Sequence, residues 1–569
     1  MAALAPAYRP RRPTETVLYG VVREHLETFL AHTRETYEAP LPRYVEEELR
    51  GYLRCGIFAH GFLRAHCDGC GHDLLVAFSC LGRGVCPSCA GRRMANVAAH
   101  LVDRVLPAVP VRQWVLSLPF ELRALAAFRA DVLAALVRIF IEAIDRRHRA
   151  WAKRVGLGDA PTGAVTHVQR FGSSVNLNVH FHVMVLDGVF TRDKRGRSVF
   201  HPAPPPTHDE LDEVVRRVRR RAESWLARKG PAADSPDSDA ASAPTPLDAC
   251  AAIAMQRGSV RVVGKDPDAS HDDGGDVNAP PPGEGAVERD GFNLHASVAI
   301  AADDDLGRER LMRYGARPPL ALDRLRRLPG GRLAYRVKVL RDGRAKSRVM
   351  TPLEFLARLA ALVPPPRYPL LRYHGVLAPR SAWRRDVVPR APETRAVPES
   401  PGTIKDGRPP RPEQRSAARG APGPGCHGHS ERAARRDQGE PSPSPLPVRT
   451  IAIDEAPSVT AIATLPARAG ANVALLAPNV LSVRHWHRLL GGLLYAASPR
   501  VDWPTLLRRS FDVDVLECPS CRGRLRVLGE VIERTMVRLM LDRMGVPTNA
   551  PRAARARDPT GLLGEVTDD

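Results

Sequence analysis

The residues most suited to chemistry in this sequence are two histidines separated by one position, His180 and His182. They lie in an alternating apolar segment, which predicts a β-strand over 177–186. Residues two apart on a strand point to the same side of the sheet, so both imidazoles are expected on one face. Such a pair, with a further polar ligand, can hold a divalent cation with open positions for phosphate oxygens. The pattern fits Mg²⁺ or Mn²⁺, and mixed His and oxygen ligands also accept Zn²⁺.

A second strand, predicted over 163–169, precedes the histidine strand. With a connecting loop centred near Ser174, antiparallel pairing sets Gln169 opposite His180 and His167 opposite His182. A β-bulge would shift this register. The two strands therefore predict a polar cluster around the histidine pair.

Two Cys-x-x-Cys pairs indicate a second type of metal site. Cys67/Cys70 and Cys86/Cys89 are separated by 15 residues, and four thiolates in this spacing predict a tetrahedral structural Zn²⁺ site.

The roles of four further cysteines stay open. Cys55 and Cys80 can be core residues, alternate ligands of the same Zn²⁺ or part of another site. Cys518 and Cys521 form a single pair, which either recruits partner ligands from elsewhere or binds nothing.

The charge of the chain favours a polyanionic partner. Lys and Arg number 84 against 63 Asp and Glu, a formal net charge of +21. Nucleic acid is the commonest partner for such a surplus. Three arginines beside the second cysteine pair are candidates for contact with phosphates or bases, with a solvated basic face as the alternative: Arg83, Arg92 and Arg93.

The remaining pattern predicts an α+β protein in a reducing cytoplasm. Helices are expected over 14–33, 43–54, 126–147 and 306–316, and a further strand over 292–300. Residues 229–290 and 392–448 are rich in Pro, Gly, Ser and charged residues and are predicted to be disordered. The sequence shows no apolar segment of membrane-spanning length and no secretory signal, so a membrane partner is not expected.

Tyr314 is the candidate nucleophile. It lies near the end of the predicted helix over 306–316, beside Arg313 and Arg317. Cationic neighbours favour a phenolate and can hold a phosphodiester, which a nucleophilic tyrosine needs. The ordinary alternative is a helix tyrosine that packs by its ring.

Seven segments, in order, closely resemble one transposase family, and the resemblance extends over nearly the whole chain outside the predicted disorder. The family is that of the rolling-circle insertion-sequence transposases, with an N-terminal zinc-binding domain and a His-hydrophobe-His (HUH) nuclease domain. The segments are SCLGRGVCPSCAGRR, VRQWVLSLPFELR, QRFGSSVNLNVHFHVMVLDGVF, GFNLHASV, RLMRYGARPP, RYHGVLAPR and LECPSCRGRLRVL.

This resemblance implies a small N-terminal zinc-binding domain, an HUH-like antiparallel sheet with flanking helices and a small C-terminal domain. The expected boundaries are a helical leader (1–45), a zinc-binding DNA-contact domain (46–110), an HUH nuclease domain (111–390, with the insertion 229–290), a linker (391–450) and a C-terminal domain (451–569).

The resemblance also implies a reaction. His180 and His182 would ligate the catalytic Mg²⁺ or Mn²⁺, and Tyr314 would attack single-stranded DNA at transposon ends and target. The products would be a 5′-phosphotyrosine and a free 3′-OH. Such a bacterial protein would act at the nucleoid.

HUH enzymes usually add one polar ligand from a neighbouring strand. Gln169 suits this role best, and His167, His295 and Asp187 are its rivals.

Some family members carry a second tyrosine four residues before the first, where this chain has Arg310. The chain thus resembles the single-tyrosine branch, in which either Tyr314 acts twice or two protomers cooperate as a homodimer. Two other hypotheses are a catalytically inactive zinc-containing DNA-binding protein, such as a decayed transposase or repressor, and a replication initiator or relaxase of the same chemistry.

Overall fold

The computed structural model describes residues 12–229, 244–256, 260–265, 285–339, 344–389, 473–476 and 514–559. Its helices are α1 (Val17–Tyr37), α2 (Arg43–Arg54), α3 (Pro87–Arg104), α4 (Phe120–Phe128), α5 (Ala130–Arg154), α6 (His208–Lys229), α7 (Pro246–Met255), α8 (Asp305–Gly315), α9 (Pro352–Leu362), α10 (Arg384–Val387) and α11 (Arg534–Arg543).

The strands are β1 (Phe62–His66), β2 (Asp73–Ala77), β3 (Val111–Ser117), β4 (Gly163–Phe171), β5 (Leu177–Leu186), β6 (Gly188–Arg192), β7 (Ser198–Pro202), β8 (Val260–Lys265), β9 (Ala286–Arg289), β10 (Phe292–His295), β11 (Ala299–Ile300), β12 (Leu325–Arg327), β13 (Leu333–Val339), β14 (Arg344–Met350), β15 (Leu371–Gly375), β16 (Val473–Leu476) and β17 (Arg526–Val531). The α+β prediction is confirmed. Among the helices of these ranges, none combines the length and the apolar content that crossing a membrane requires.

An antiparallel sheet of seven strands forms the centre of the fold. Its order is β15-β4-β5-β3-β10-β9, and β11 also pairs with β3. The strand β5 lies between β4 and β3, so its backbone is hydrogen-bonded on both sides. This central position gives β5 little freedom to slip against its neighbours.

The two faces of the sheet pack against different helices. The odd-numbered residues of β5, including Phe181 and Val183, belong to the main core together with residues of α5 and α9. On the opposite face, Met184 packs with Leu101 of α3 and with Leu311 and Met312 of α8. Strand alternation therefore separates the main core from the face that receives α8.

Two predicted elements are each divided in the structure. The helix expected over 126–147 is α4 and α5, because Arg129 between them has extended backbone. The strand expected over 292–300 is β10 and β11. The interruption places the Ala296 carbonyl against the Arg112 guanidinium, which donates to it at 3.1 Å.

The stretch 229–290, predicted to be disordered, contains described elements. Helix α7 begins with a capping box between Thr245 and Asp248 and packs against α9, and its Cys250 and Ala254 are buried. Strand β8 pairs with β14. A short apolar segment flanked by polar residues thus suffices for order once α9 and β14 supply partners. The predicted linker 391–450 lies outside the described residues.

The described part of the predicted C-terminal domain is joined to the N-terminal region. Strand β17 pairs antiparallel with β1, in a sheet of order β16-β2-β1-β17. The backbone N–H of Ala554 donates to the Arg23 carbonyl at 2.8 Å. Residues 514–559 therefore extend the fold of the cysteine-rich N-terminal region.

A buried histidine makes the stability of this fold sensitive to acid. His148 of α5 has no exposed surface, its Nδ1 donates to the Ile144 carbonyl at 3.0 Å, and burial lowers its pKa to about 4. The unfolded chain protonates this histidine near pH ~6.5, whereas the folded protein does so only near pH 4. The contribution of the neutral, buried His148 to stability is therefore fully present above pH ~6.5 and is lost as the pH falls toward 4.

We predict that His148→Leu reduces the stability lost between pH 7 and pH 5 by about 2 kcal/mol. The measurement is the urea denaturation curve at both pH values. Replacement of the exposed His208 of α6 by leucine is the matched control and should leave the loss at its wild-type value. Equal losses in wild type and His148→Leu would contradict the assignment.

Candidate functional site

The register of the central sheet brings the predicted polar residues onto one face. His182 lies opposite His167 and His180 lies opposite Gln169, as the sequence predicts. The register shift in this strand pair comes only after Gln169. The ring centroids of His180 and His182 are 4.9 Å apart, so the two imidazoles can approach one ion.

Tyr314 reaches this pair from the last turn of α8. Its ring centroid lies 5.2 Å from that of His182, and the two rings meet edge to face at 85°. The Arg317 guanidinium lies 4.6 Å from the centre of the Tyr314 ring. The structure thus unites the two imidazoles, the phenol and a cation.

Gln169 fastens the end of α8 to the sheet. Its Nε2 donates to the carbonyls of Tyr314 at 2.8 Å and Gly315 at 3.0 Å. Its Oε1 accepts from Arg317 Nε at 3.4 Å. The amide nitrogen is therefore committed to the helix, and Oε1 is the only side-chain atom of Gln169 that can accept a bond.

Gly315 permits the close approach of α8 to β4. A Cβ at this position would lie 2.9 Å from the His167 ring and 3.0 Å from Met184 Cε. Any side chain here would push the helix, and the Tyr314 ring with it, away from the sheet.

Backbone and side-chain contacts orient the two imidazoles. Nδ1 of His180 donates to the Asn178 carbonyl at 2.9 Å, which fixes the orientation of this ring. Nδ1 of His182 hydrogen-bonds with the Gln113 amide at 2.9 Å, and its buried Nε2 has no hydrogen-bond partner among the described residues. Gln113 was not among the residues predicted from the sequence, although its position in the alternation of β3 places it on the histidine face.

Burial keeps the imidazoles of His182 and His167 neutral. Desolvation lowers the pKa of His182 well below its ordinary value, and the nearby His180 and Arg317 lower it further. Burial also lowers the pKa of His167 to about 4. A neutral imidazole has the free lone pair that a metal ligand requires.

The three rival third ligands differ in their surroundings. Asp187 is held by Arg112 in a buried ion pair at 2.8 Å, so its carboxylate is already engaged. His167 is buried against Gly315. His295, which is on β10, lies opposite Val115 of β3. Within the described ranges, no third His, Cys, Asp or Glu has a ligand atom within 4.8 Å of the ligand atoms of both His180 and His182.

Three of the five arginines predicted to contact DNA line one cavity. They are Arg83, Arg93 and Arg317, and the cavity, of about 120 Å³, is also lined by His167 and Gln169. This cavity lies where the cysteine-rich region meets the histidine face.

These arginines also make contacts within the protein. Arg83 donates to the Tyr368 carbonyl at 2.6 Å, and Arg93 donates to the Gly82 carbonyl at 2.9 Å. Arg92 lies half-buried on α3, and Arg313 pairs with Glu309 at 2.7 Å.

Among the described residues, the cysteines form two clusters rather than the single predicted one. Cys86 and Cys89 join Cys55 and Cys80, and Cys67 and Cys70 join Cys518 and Cys521, with the sulfurs of each group within 4.8 Å of one another. The prediction of one site built from Cys67, Cys70, Cys86 and Cys89 is corrected on this point.

The β1–β2 hairpin keeps the Cys67/Cys70 pair away from the Cys86/Cys89 pair. Cys67 and Cys70 lie in the turn between the strands, whereas Cys55 and Cys80 lie at the open end of the hairpin. A strand of five residues spans roughly 16 Å, which is too far for one ion to bridge. Cys86 and Cys89, at the start of α3, lie at the open end.

Comparison with protein families matches two segments of the chain. Residues 21–118 match a family described as "Transposase zinc-binding domain", whose name refers to the insertion sequence IS91. Residues 163–384 match a family described as "Putative transposase". No curated protein and no solved structure shows significant similarity to the chain.

The two matched segments support the function of a DNA transposase. Together they support an insertion-sequence transposase with an N-terminal zinc-binding domain. The first segment contains all four cysteines of the Cys55, Cys80, Cys86 and Cys89 cluster, together with Cys67 and Cys70, which supports structural zinc in this region. The second contains the histidine pair and Tyr314.

The close packing at Gly315 yields a prediction. Gly315→Ala should destabilise the protein by about 1–3 kcal/mol, because the added methyl group overlaps the His167 ring and Met184. Gly91→Ala in α3 is the matched control, since a Cβ added there would meet nothing within 4 Å and alanine is the better helix residue. Urea denaturation measures both. A Gly315→Ala protein as stable as Gly91→Ala would rule out the tight contact.

Proposed function

We propose that this transposase nicks and rejoins single-stranded DNA through a 5′-phosphotyrosine intermediate on Tyr314, in rolling-circle transposition. The observation that carries the proposal is the contact of the Tyr314 ring with His182, beside His180, on one face of the sheet. A nucleophile and two metal-ligating imidazoles in one site are the minimum that phosphodiester cleavage by this route requires.

His180 and His182 would hold Mg²⁺ or Mn²⁺ through their Nε2 atoms, with Gln169 Oε1 as the third ligand. Bound there, the ion supplies Lewis-acid polarisation of a phosphate oxygen and holds the phosphate in place. The Asn178 carbonyl and the Gln113 amide fix the two rings from behind. Gln169 then has two tasks, since it also anchors the helix end that carries Tyr314.

The chemical step exchanges one phosphorus–oxygen bond for another. The Tyr314 oxygen loses its proton and bonds to phosphorus, while the bond from phosphorus to the 3′ oxygen breaks. That oxygen takes up a proton and leaves as a free 3′-OH, which can prime replication. Because the phosphotyrosine retains the energy of the phosphodiester, attack by a 3′-OH rejoins the strand and needs no ATP.

Arg317 is suited to hold the scissile phosphate. Its guanidinium lies over the Tyr314 ring and 5.7 Å from the centre of the Phe171 ring, beside the cavity that Arg83 and Arg93 also line. A single strand passing over this cavity would place a phosphate against Arg317 and a base against Phe171. Arg92 and Arg313 would add further phosphate contacts.

Arg310, which occupies the position of a second tyrosine in some relatives, is exposed on α8. The cleavage and rejoining steps then either use Tyr314 twice or use the Tyr314 residues of two protomers in a homodimer. The alternative function, DNA binding without cleavage by a decayed copy, is separated from the proposal by the next two experiments.

The first experiment tests the nucleophile. Incubation of the protein with single-stranded oligonucleotides from the element's ends and Mn²⁺ should give a covalent adduct on a denaturing gel. Tyr314→Phe removes the attacking oxygen and should reduce the adduct below detection. Tyr37→Phe, at the partly exposed end of α1, is the control and should keep it. An adduct in Tyr314→Phe would reassign the nucleophile, and no adduct in wild type would favour the non-catalytic alternative.

The second experiment tests the metal pair. The double variant His180→Ala with His182→Ala should lose the adduct and the bound Mn²⁺ signal in electron paramagnetic resonance. Binding of single-stranded DNA should stay within a few-fold of wild type. His201→Ala, on the β6–β7 hairpin, is the control and should retain adduct and signal. Full adduct formation in the double variant would exclude these histidines as ligands.

A further inference from the structure

The turn between β1 and β2 and the turn before β17 have the same backbone hydrogen bonds. In the first, the Cys67 N–H donates to the His72 carbonyl at 2.9 Å, and the Gly71 N–H donates to the Cys67 carbonyl at 2.9 Å. In the second, the Cys518 N–H donates to the Gly523 carbonyl at 2.7 Å, and the Arg522 N–H donates to the Cys518 carbonyl at 2.8 Å.

The same position in each turn also has positive φ. Gly71 has φ 73° and Arg522 has φ 60°. For an arginine this conformation is unfavourable by about 1 kcal/mol or more. A strained backbone at the matching position, in the same hydrogen-bonded turn, indicates that both turns serve one purpose. In each, the turn aims two cysteine sulfurs at a common point.

The sulfur separations fit a tetrahedral ion. Cys67 Sγ lies 3.5 Å from Cys521 Sγ, and Cys70 Sγ lies 3.5 Å from Cys518 Sγ. Four sulfurs at ~2.3 Å from one Zn²⁺ lie about 3.8 Å apart, close to these values. A disulfide would need ~2.05 Å, so the sulfurs are free thiols or metal ligands.

The exposure of Cys521 is inconsistent with the interpretation that all four cysteines only fill a hydrophobic core. Cys67 and Cys518 are buried in a small apolar cluster with Leu63 and Val515, whereas Cys521 is exposed. Burial can explain the first two thiols. It cannot explain why an exposed thiol points back at Cys67, and a metal shared by all four does.

We infer that Cys67, Cys70, Cys518 and Cys521 form a second zinc site, which fastens the C-terminal segment to the N-terminal region. Neither matched family segment contains Cys518 or Cys521. The site completes the shell of a single Cys-x-x-Cys pair with a pair more than 440 positions away in the sequence. It lies at the turn where β17 joins the edge of β1, and the Asp68–Arg526 ion pair at 3.1 Å is beside it.

The zinc content of the full-length protein tests the inference. Mass spectrometry of the metal, after dialysis against a weak chelator, should find two zinc ions per chain in wild type. Cys521→Ser should bind one, and because Cys521 is exposed this change does not disturb packing. Cys521→His should restore two, since imidazole also ligates zinc.

Two further variants calibrate the count. Cys89→Ser should lose the ion of the other cluster and keep the second one. Cys250→Ala, in α7 and outside both clusters, should keep two. One zinc in wild type, or two in Cys521→Ser, would overturn the inference. Neither result depends on DNA cleavage.

Hydrogen exchange tests the fastening role in the intact chain. The amides of β17 from Val527 to Val531 should exchange at least about tenfold faster in Cys521→Ser than in Cys521→His, because the strand then opens from β1 more readily. Equal exchange in the two variants would show that the ion does not hold the strand.

Discussion

The pairing of β4 with β5 is the constraint on which the candidate catalytic site depends. A shift of one residue would turn His180 and His182 into the main core and bring Phe181 to the face of α8. The flanking strand β3 makes such a shift costly, since β5 is bonded on both sides. The same face receives α8, and the missing side chain of Gly315 lets the helix approach until the Tyr314 ring meets His182.

The arrangement is held by groups with more than one task. Gln169 bonds to the carbonyls at the end of α8 and faces His180 across the sheet, so the position of the helix and the polar cluster depend on one amide. Arg317 contacts this amide, the Tyr314 ring and the Phe171 ring. A change at Gln169 would alter the geometry of the site, and a change at Arg317 would alter both its geometry and its charge.

Local patterns in the sequence predicted much of this site. The alternation around His180 and His182 predicted their common face, and the short loop at Ser174 predicted the cross-strand pairs with Gln169 and His167. Gln113 was missed because its strand pairs with β5 across a long sequence separation.

The pairing of the cysteines could not be predicted for a related reason. Neighbouring Cys-x-x-Cys pairs in sequence suggest one site, yet the rigid β1–β2 hairpin holds them at opposite ends, and the partners of Cys67 and Cys70 come from the far end of the chain. The order within 229–290 likewise depends on α9 and β14, which follow later in the sequence. Spacing reports which residues can ligate, and the tertiary fold decides which of them meet.

The position of β17 has a consequence for how the protein is made. Strand β1 has an open edge until its last partner has been synthesised, and an unpaired edge invites pairing with other chains. A nascent chain on the ribosome must therefore carry that edge through most of translation. Copies of the gene cut short before the codon for Arg526 would leave it permanently uncovered, so their products should be recognised by proteases and chaperones as incomplete.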